Sequence, residues 1–208
     1  VPPVKRWKLW SWYALVFFLG STLVTSIFGF VYILLILKDL PSPEALTNIT
    51  IVSTTKILAR DGTLLYEAGD DGARRTVVGL DQINQHMIDA TLAAEDDKFF
   101  SHPGFDWQGI ARALYQDSIN FLTGNSARQG GSTITQQLVK LSFLTPERTL
   151  KRKVSELILS LELEQQYSKQ QILEMYLNKI FYGYQSYGIE AAAHTYFNKD
   201  AKSLTIAE

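Results

Sequence analysis

Three consecutive acids, Glu95, Asp96 and Asp97, close an apolar helical pattern in "AAEDDKFFSHPG", and two phenylalanines, a histidine and a Pro-Gly stop follow them. A solvated acidic end needs no such aromatics. Thr91, Leu92 and Ile88 lie one to two turns back from Glu95, so its carboxylate leaves a partly apolar surface near Phe99 and Phe100. Carboxylates in such surroundings, beside other acids, are the ones that exchange a proton near neutrality, as a general base must. Glu95 is therefore the first catalytic candidate. A capped, exposed helix end above two core phenylalanines is the plainer reading of the same residues.

A second constellation, "GGSTITQQLVK" (Gly130 to Lys140), leads from a glycine pair into a dense row of hydrogen-bonding groups: Ser132, Thr133, Thr135, Gln136 and Gln137. Ser132 or Thr133 can cap the helix that begins there, and the free N–H groups of that end favour an anion. A third, "RTLKRKVSELILSLELE", crowds Arg148, Lys151, Arg152 and Lys153 at the start of a helix with an apolar face of Val154, Leu157, Ile158 and Leu161. Cations there oppose the helix dipole, so a partner anion such as a phosphate would rationalise them, and Lys140 can join from the preceding helix. Glu156, one turn on, is a second candidate buried carboxylate.

These groups must be carried by a short chain. Its 208 residues have a formal net charge of -1 and no cysteine, which excludes thiolate chemistry and gives no global attraction to nucleic acid. The run from Leu9 to Leu37 holds no charge and exceeds the ~20 residues that cross hydrocarbon. It reads as one transmembrane helix, with Trp7, Trp10, Trp12 and Tyr13 at the first interface. Lys5, Arg6 and Lys8 before it place the N-terminus in the cytoplasm and all that follows on the outer face of the cytoplasmic membrane, periplasmic or extracellular. Three regions result: 1–40, cytoplasmic tip and membrane helix; 41–80, an extracytoplasmic β connector; 81–208, a helical domain. In the connector, Ile49 to Val52 and Thr55 to Ala59 read as strands, and Asp61-Gly62 reads as a hairpin turn. Helices are expected from Asp81 to Ala94 and over Ile110 to Leu122, Ile134 to Leu144, Leu150 to Gln166 and Lys169 to Tyr182, with a mobile loop from Thr123 to Gly131. His86, His102 and His194 are far apart in sequence, and no metal ligands are expected.

"EDDKFFSHPG", "GGSTITQQLVK", "RKVSE" and "ILEMYLNKIFYG" stand in the order and spacing of the peptidoglycan glycosyltransferase family (glycosyltransferase family 51), and residues 81–208 resemble that domain of a class A penicillin-binding protein or a monofunctional relative. The resemblance implies a mainly α, lysozyme-like, two-lobed domain. It implies an inverting enzyme that polymerises lipid II into β-1,4-linked glycan strands and releases undecaprenyl pyrophosphate. Glu95 matches the catalytic base and Glu156 the second glutamate of the family. Asp96, Phe99, His102, Thr133, Gln136, Gln137, Lys140, Arg152 and Lys153 match substrate-side motif positions, and Arg148 joins them as a cation for the leaving pyrophosphate. No cofactor is obligatory; Mg2+ or Mn2+ bridging the pyrophosphate is the one metal role the family suggests. The implied partners are lipid II, the growing lipid-linked glycan, the membrane and other cell-wall synthesis proteins, with no nucleic acid.

The chain departs from the family pattern at Asn198, where glycine is usual, and in "GYQSYG", which lacks a glycine before its small residue. It stops within a motif at "SLTIAE", so the domain is expected to be C-terminally truncated. Two alternatives stand beside the polymerase: a lytic glycan-cleaving enzyme of lysozyme-like fold, and an inactive membrane-tethered cell-wall scaffold.

Overall fold

Helix α1 (Arg6–Lys38) dominates the first of two units, Val1–Leu40, into which a computed structural model of the chain divides; the second is Pro41–Glu208. The structure describes residues 6–38, 40–41, 53–62, 64–68, 72–123, 131–147 and 149–208. At 1.5 Å per residue the 33 residues of α1 span about 50 Å, more than the ~30 Å of a hydrocarbon core. Among the described residues it is the one helix long and apolar enough to cross a membrane. Most of its described large apolar side chains, Phe17, Phe18 and Phe28 among them, are exposed. Thr22 and Thr25 return their hydroxyl protons to the carbonyls of Leu19 and Ser21, both at 2.9 Å, which satisfies them without water.

The second unit opens with β1 (Thr55–Leu58) and β2 (Leu64–Ala68), an antiparallel pair with an irregular register between Ile57 and Leu58. The expected Asp61-Gly62 turn joins them, with Gly62 at φ 86. The expected strand from Ile49 to Val52 lies outside the described residues. A parallel bridge follows between β3 (Arg74–Arg75) and β4 (Ser186–Tyr187).

Among the described residues six α-helices carry the rest: α2 (Gln85–Glu95), α3 (Trp107–Thr123), α4 (Ile134–Phe143), α5 (Leu150–Gln166), α6 (Lys169–Lys179) and α7 (Ile189–Phe197). Their starts are chemically marked. Asn84, Thr133, Thr149 and Ser168 each accept a backbone N–H from the first turn, and Thr133–Gln136 and Ser168–Gln171 form reciprocal capping boxes. The apolar positions of α4, Ile134, Leu138 and Val139, meet Leu159 and Leu163 of α5 and Ile172, Leu173 and Leu177 of α6, all essentially fully buried. Phe99 closes this core from below the end of α2.

The mainly helical, lysozyme-like class implied by the resemblance is the one observed, with few short strands and a single apolar helix ahead of it. Two helices are shorter than their periodicity suggests: the one expected from Asp81 starts at Gln85, because Ile83 and Asn84 are extended after a 3-10 turn over Leu80–Gln82, and α6 stops before Tyr182. After Lys179 the backbone bonds to itself in a tight loop, Gly188 N–H to Ile180 O at 2.9 Å and Tyr182 N–H to Ser186 O at 3.0 Å, instead of continuing α6 to Tyr182. In that loop Tyr184 and Gln185 hold positive φ angles of 44 and 58, so Gln185 adopts a left-handed conformation without being glycine.

Gly104 is needed where it stands. Its φ is 95, and a Cβ there would lie 2.9 Å from Ser160 O, while its carbonyl accepts the Thr133 hydroxyl at 2.6 Å. Gly104→Ala is expected to destabilise the protein by about 2 kcal/mol through backbone strain and this clash. Thermal melts in one detergent check this; an unchanged Tm would contradict the close approach.

Candidate active site

Glu95 ends α2 with its side chain exposed, on a rim shared by two depressions. On one side lies a polar cleft of about 320 Å3 lined by Asp97, Asp106, Arg112, Ser132 and Thr133. On the other is a more apolar recess of about 220 Å3, walled by Met87, Ala90, Ile180 and Tyr182. The partly apolar setting expected for Glu95 is thus one of its two sides.

Gln137, on α4, donates from Nε2 to Glu95 Oε2 at 2.7 Å. Its carbonyl Oε1 accepts from the Tyr176 hydroxyl of α6 at 3.2 Å, which sets the amide so that its NH2 faces the carboxylate. Burial, and after it the negative charge of Glu95, push the hydroxyls of Tyr176 and Tyr182 well above the usual tyrosine range. Both therefore remain neutral donors at physiological pH. Neither tyrosine was named as a site residue from the sequence, although both lie within the motif "ILEMYLNKIFYG".

Asp96 turns inward. Its two oxygens accept from His102 Nε2, each at 3.0 Å, and Oδ2 also accepts the Ile134 N–H at 3.0 Å. An anion at the first turn of α4 is favourably placed, and this buried pair ties the end of α2 to the start of α4. Phe99 has no exposed surface; it packs edge-on against Phe100 and His102, with the Lys169 ammonium 4.4 Å from its ring centre. Phe99 and His102 accordingly sit behind the cleft wall, Asp96 contributes to the wall itself, and together they hold the segment that carries Glu95.

Thr133 and Gln136 are likewise buried, and the Thr133 hydroxyl oxygen and Gln136 Oε1 form the cap of α4. Lys153 Nζ reaches Ser132 Oγ at 3.0 Å and Glu156 Oε1 at 2.5 Å, while Arg152 Nη1 donates to Glu156 Oε2 at 2.6 Å. Glu156 is the buried carboxylate expected, but its oxygens are both engaged by cations of its own helix, and it does not line the polar cleft. Two cations against one carboxylate leave the cluster with one positive charge in excess. Beside it, Gln136 Nε2 and Arg152 Nε are buried donors without an acceptor among the described residues. Lys140 is exposed and makes no ion pair within the described residues. Arg148, and residues 124–130 of the expected loop, lie outside the described residues.

Asp106 and Arg112 line the cleft without having been singled out from sequence, as does Asp97, noted there only as a member of the acidic triplet. Asp106 carries a capping signal: its carboxylate accepts the Gln108 N–H at 2.9 Å at the start of α3. Arg112 carries none, because one exposed arginine on a helix has no distinguishing spacing.

A carboxylate held by an amide lies at the mouth of a cleft, with an anchored cationic helix start beside it, and residues 61–208 match the family model described as transglycosylase. The chain belongs to that family. Among its relatives are the penicillin-binding proteins 1A of Vibrio cholerae, 42% identical over 89% of this chain, of Haemophilus influenzae, 50% over 74%, and of Escherichia coli K12, 44% over 82%. The chain spans only about a fifth of those proteins, 22%, 17% and 19% of their lengths.

Proposed function

We propose that the protein is a peptidoglycan glycosyltransferase that polymerises lipid II into β-1,4-linked glycan and releases undecaprenyl pyrophosphate. The observation that carries this reading is the Glu95 carboxylate, held by Gln137, on the rim of the polar cleft. Glu95 takes the proton of the acceptor's 4-hydroxyl as that oxygen attacks C1 of the growing chain. The C1–O bond to pyrophosphate breaks, and C1 inverts. Charge then gathers on the leaving pyrophosphate, where Lys140 and Arg148 supply positive charge together with the excess charge of the Arg152–Lys153–Glu156 cluster. Glu156 acts as the counterion that fixes Arg152 and Lys153. Donors left without acceptors at Gln136 Nε2 and Arg152 Nε leave this region richer in donors than in acceptors, as an anion site requires.

A divalent cation held mainly by the pyrophosphate needs one or two protein carboxylates, and Asp97 and Asp106, facing the same cleft, fit that requirement. When bound, such an ion would neutralise developing phosphate charge.

The basic residues before α1 favour a cytoplasmic N-terminus, with the catalytic unit on the outer face. Donor and acceptor both carry polyprenyl tails, so confinement of enzyme and substrates to one leaflet raises their effective concentration.

Incubating the membrane-anchored protein with labelled lipid II is expected to give long, lysozyme-sensitive strands. Soluble anhydro-sugars from preformed glycan would identify a lytic enzyme instead. Within this reading, Tyr176→Phe frees the Gln137 amide and is expected to lower kcat about fivefold with little change in KM, the worth of about one hydrogen bond. A raised KM with unchanged kcat would place Tyr176 in substrate binding.

A further inference from the structure

We propose that Glu190, His194 and Asp200 form a binding site for a divalent transition-metal ion of the Zn2+ type, separate from the Glu95 cleft. Helix α7 sets Glu190 and His194 one turn apart on a single face. The helix ends at Asn198, whose left-handed backbone (φ 52, ψ 43) turns the chain back so that Asp200 returns to the same face. Asparagine, here in place of the family's glycine, accepts that conformation readily.

The three side chains converge closely enough to share an ion. His194 Nε2 lies 3.1 Å from Glu190 Oε1 and 3.2 Å from Asp200 Oδ1, and the ligand atoms of all three residues lie within 4.8 Å of one another. Ligand atoms bonded at about 2.0–2.2 Å to a shared ion stand about 3.0–3.6 Å apart, from octahedral to tetrahedral geometry. The second oxygen of Glu190 accepts the Ala201 N–H at 2.8 Å, which orients the carboxylate and leaves Oε1 directed at the histidine.

A hydrogen bond accounts for one of the two contacts, His194 Nε2 with Glu190 Oε1, and the Asp200 oxygen is a second anionic contact on the same nitrogen. An ion between the three atoms engages a lone pair from each. Two carboxylates also carry the charge that a divalent ion cancels. The nearby cations are engaged elsewhere: Lys199 with Glu208 at 2.5 Å, and Arg74 with the Thr195 hydroxyl at 3.3 Å.

One imidazole among two carboxylates selects Zn2+, Co2+ or Ni2+ over Mg2+, which requires oxygen ligands and keeps its waters. Glu190 is nearly covered, with its side chain 10% exposed, whereas His194 and Asp200 are 45% and 71% exposed, so the site has an anchored base and an open side for entry. His194 also lines a cavity of about 780 Å3 whose other walls include Lys56, Tyr66 and Arg74, and which shares no lining residue with the Glu95 cleft. A bound ion would clamp the end of α7 to the turn that follows it. The reading of histidine spacing missed this site because its ligands are one histidine and two acids joined by a helical turn and a chain reversal.

The test is a titration of tag-free, chelator-treated protein with Zn2+, Co2+ and Mg2+, followed by calorimetry and thermal melting, with Co2+ absorption as a report of coordination. Saturable one-to-one Zn2+ binding that raises Tm is expected, with no response to Mg2+. His194→Gln and Asp200→Asn should each weaken Zn2+ binding about tenfold or more. Both side chains are well exposed, so both variants should fold and keep the polymerising activity of metal-free protein. Absence of saturable Zn2+ binding, or binding undiminished in His194→Gln, would overturn the site and leave a hydrogen-bonded cluster only. The readout is independent of whatever reaction occurs at Glu95.

Discussion

Glu156→Ala is expected to lower the stability of the extracytoplasmic unit by about 3 kcal/mol, because it leaves Arg152 and Lys153 without the carboxylate that engages both. Lys153 is 37% exposed and can find water, so the cost sits toward the lower end for a broken buried pair. At roughly 2–4 °C per kcal/mol for a unit of this size, Tm should fall by about 6–12 °C. Glu156→Gln keeps the shape and removes the charge, and should show most of that fall. The double variant Glu156→Gln/Lys153→Met removes one of the stranded cations and should recover part of it; simple additivity of the two substitutions would contradict the coupling. If Tm did not move, Glu156 would not be the counterion of this cluster, and its role would have to be sought in the reaction itself.

Glu95→Gln has the larger effect on turnover. Glu95 is exposed and its observed hydrogen bond is to Gln137, so the amide should fold as the acid does. Loss of a general base commonly costs about 10²–10⁴-fold in rate, and an isosteric amide cannot accept the acceptor's proton. The loss is expected in kcat, with Tm unchanged. A parallel Asp96→Asn substitution should behave differently: it weakens the His102 pairing and the hold on α4, so stability and activity fall together. The two neighbouring acids thus separate by assay, one chemical and one positional.

The sequence made some of this architecture legible because the deciding interactions are local. Thr133 followed three residues later by Gln136 is a capping box on paper and in space, and Asp61-Gly62 between two apolar runs is a turn in both. The uncharged run before Lys38 needs only its length. What was not legible depends on tertiary direction. "EDD" does not reveal that Asp96 turns in toward His102 and Ile134 while Glu95 faces out, because the backbone breaks from the helix at Asp96, with φ -164 and ψ 79. The Tyr176–Gln137–Glu95 chain joins α6, α4 and α2, three helices whose relative placement no local pattern encodes. Similarly, the basic run at Arg152 and Lys153 invites an anionic ligand, yet the nearest anion is Glu156 on the next turn, and only geometry shows that one carboxylate serves two cations.

One measurement tests the central claim most directly: the rate at which the membrane-anchored protein and its Glu95→Gln variant, matched for thermal stability, convert labelled lipid II into lysozyme-sensitive glycan in the same bilayers. Strand formation by the parent protein with its near-complete loss in the variant is the predicted result. Equal rates from the two proteins, or a variant that makes strands of the same length as fast as the parent, would remove Glu95 from the chemistry and contradict the account.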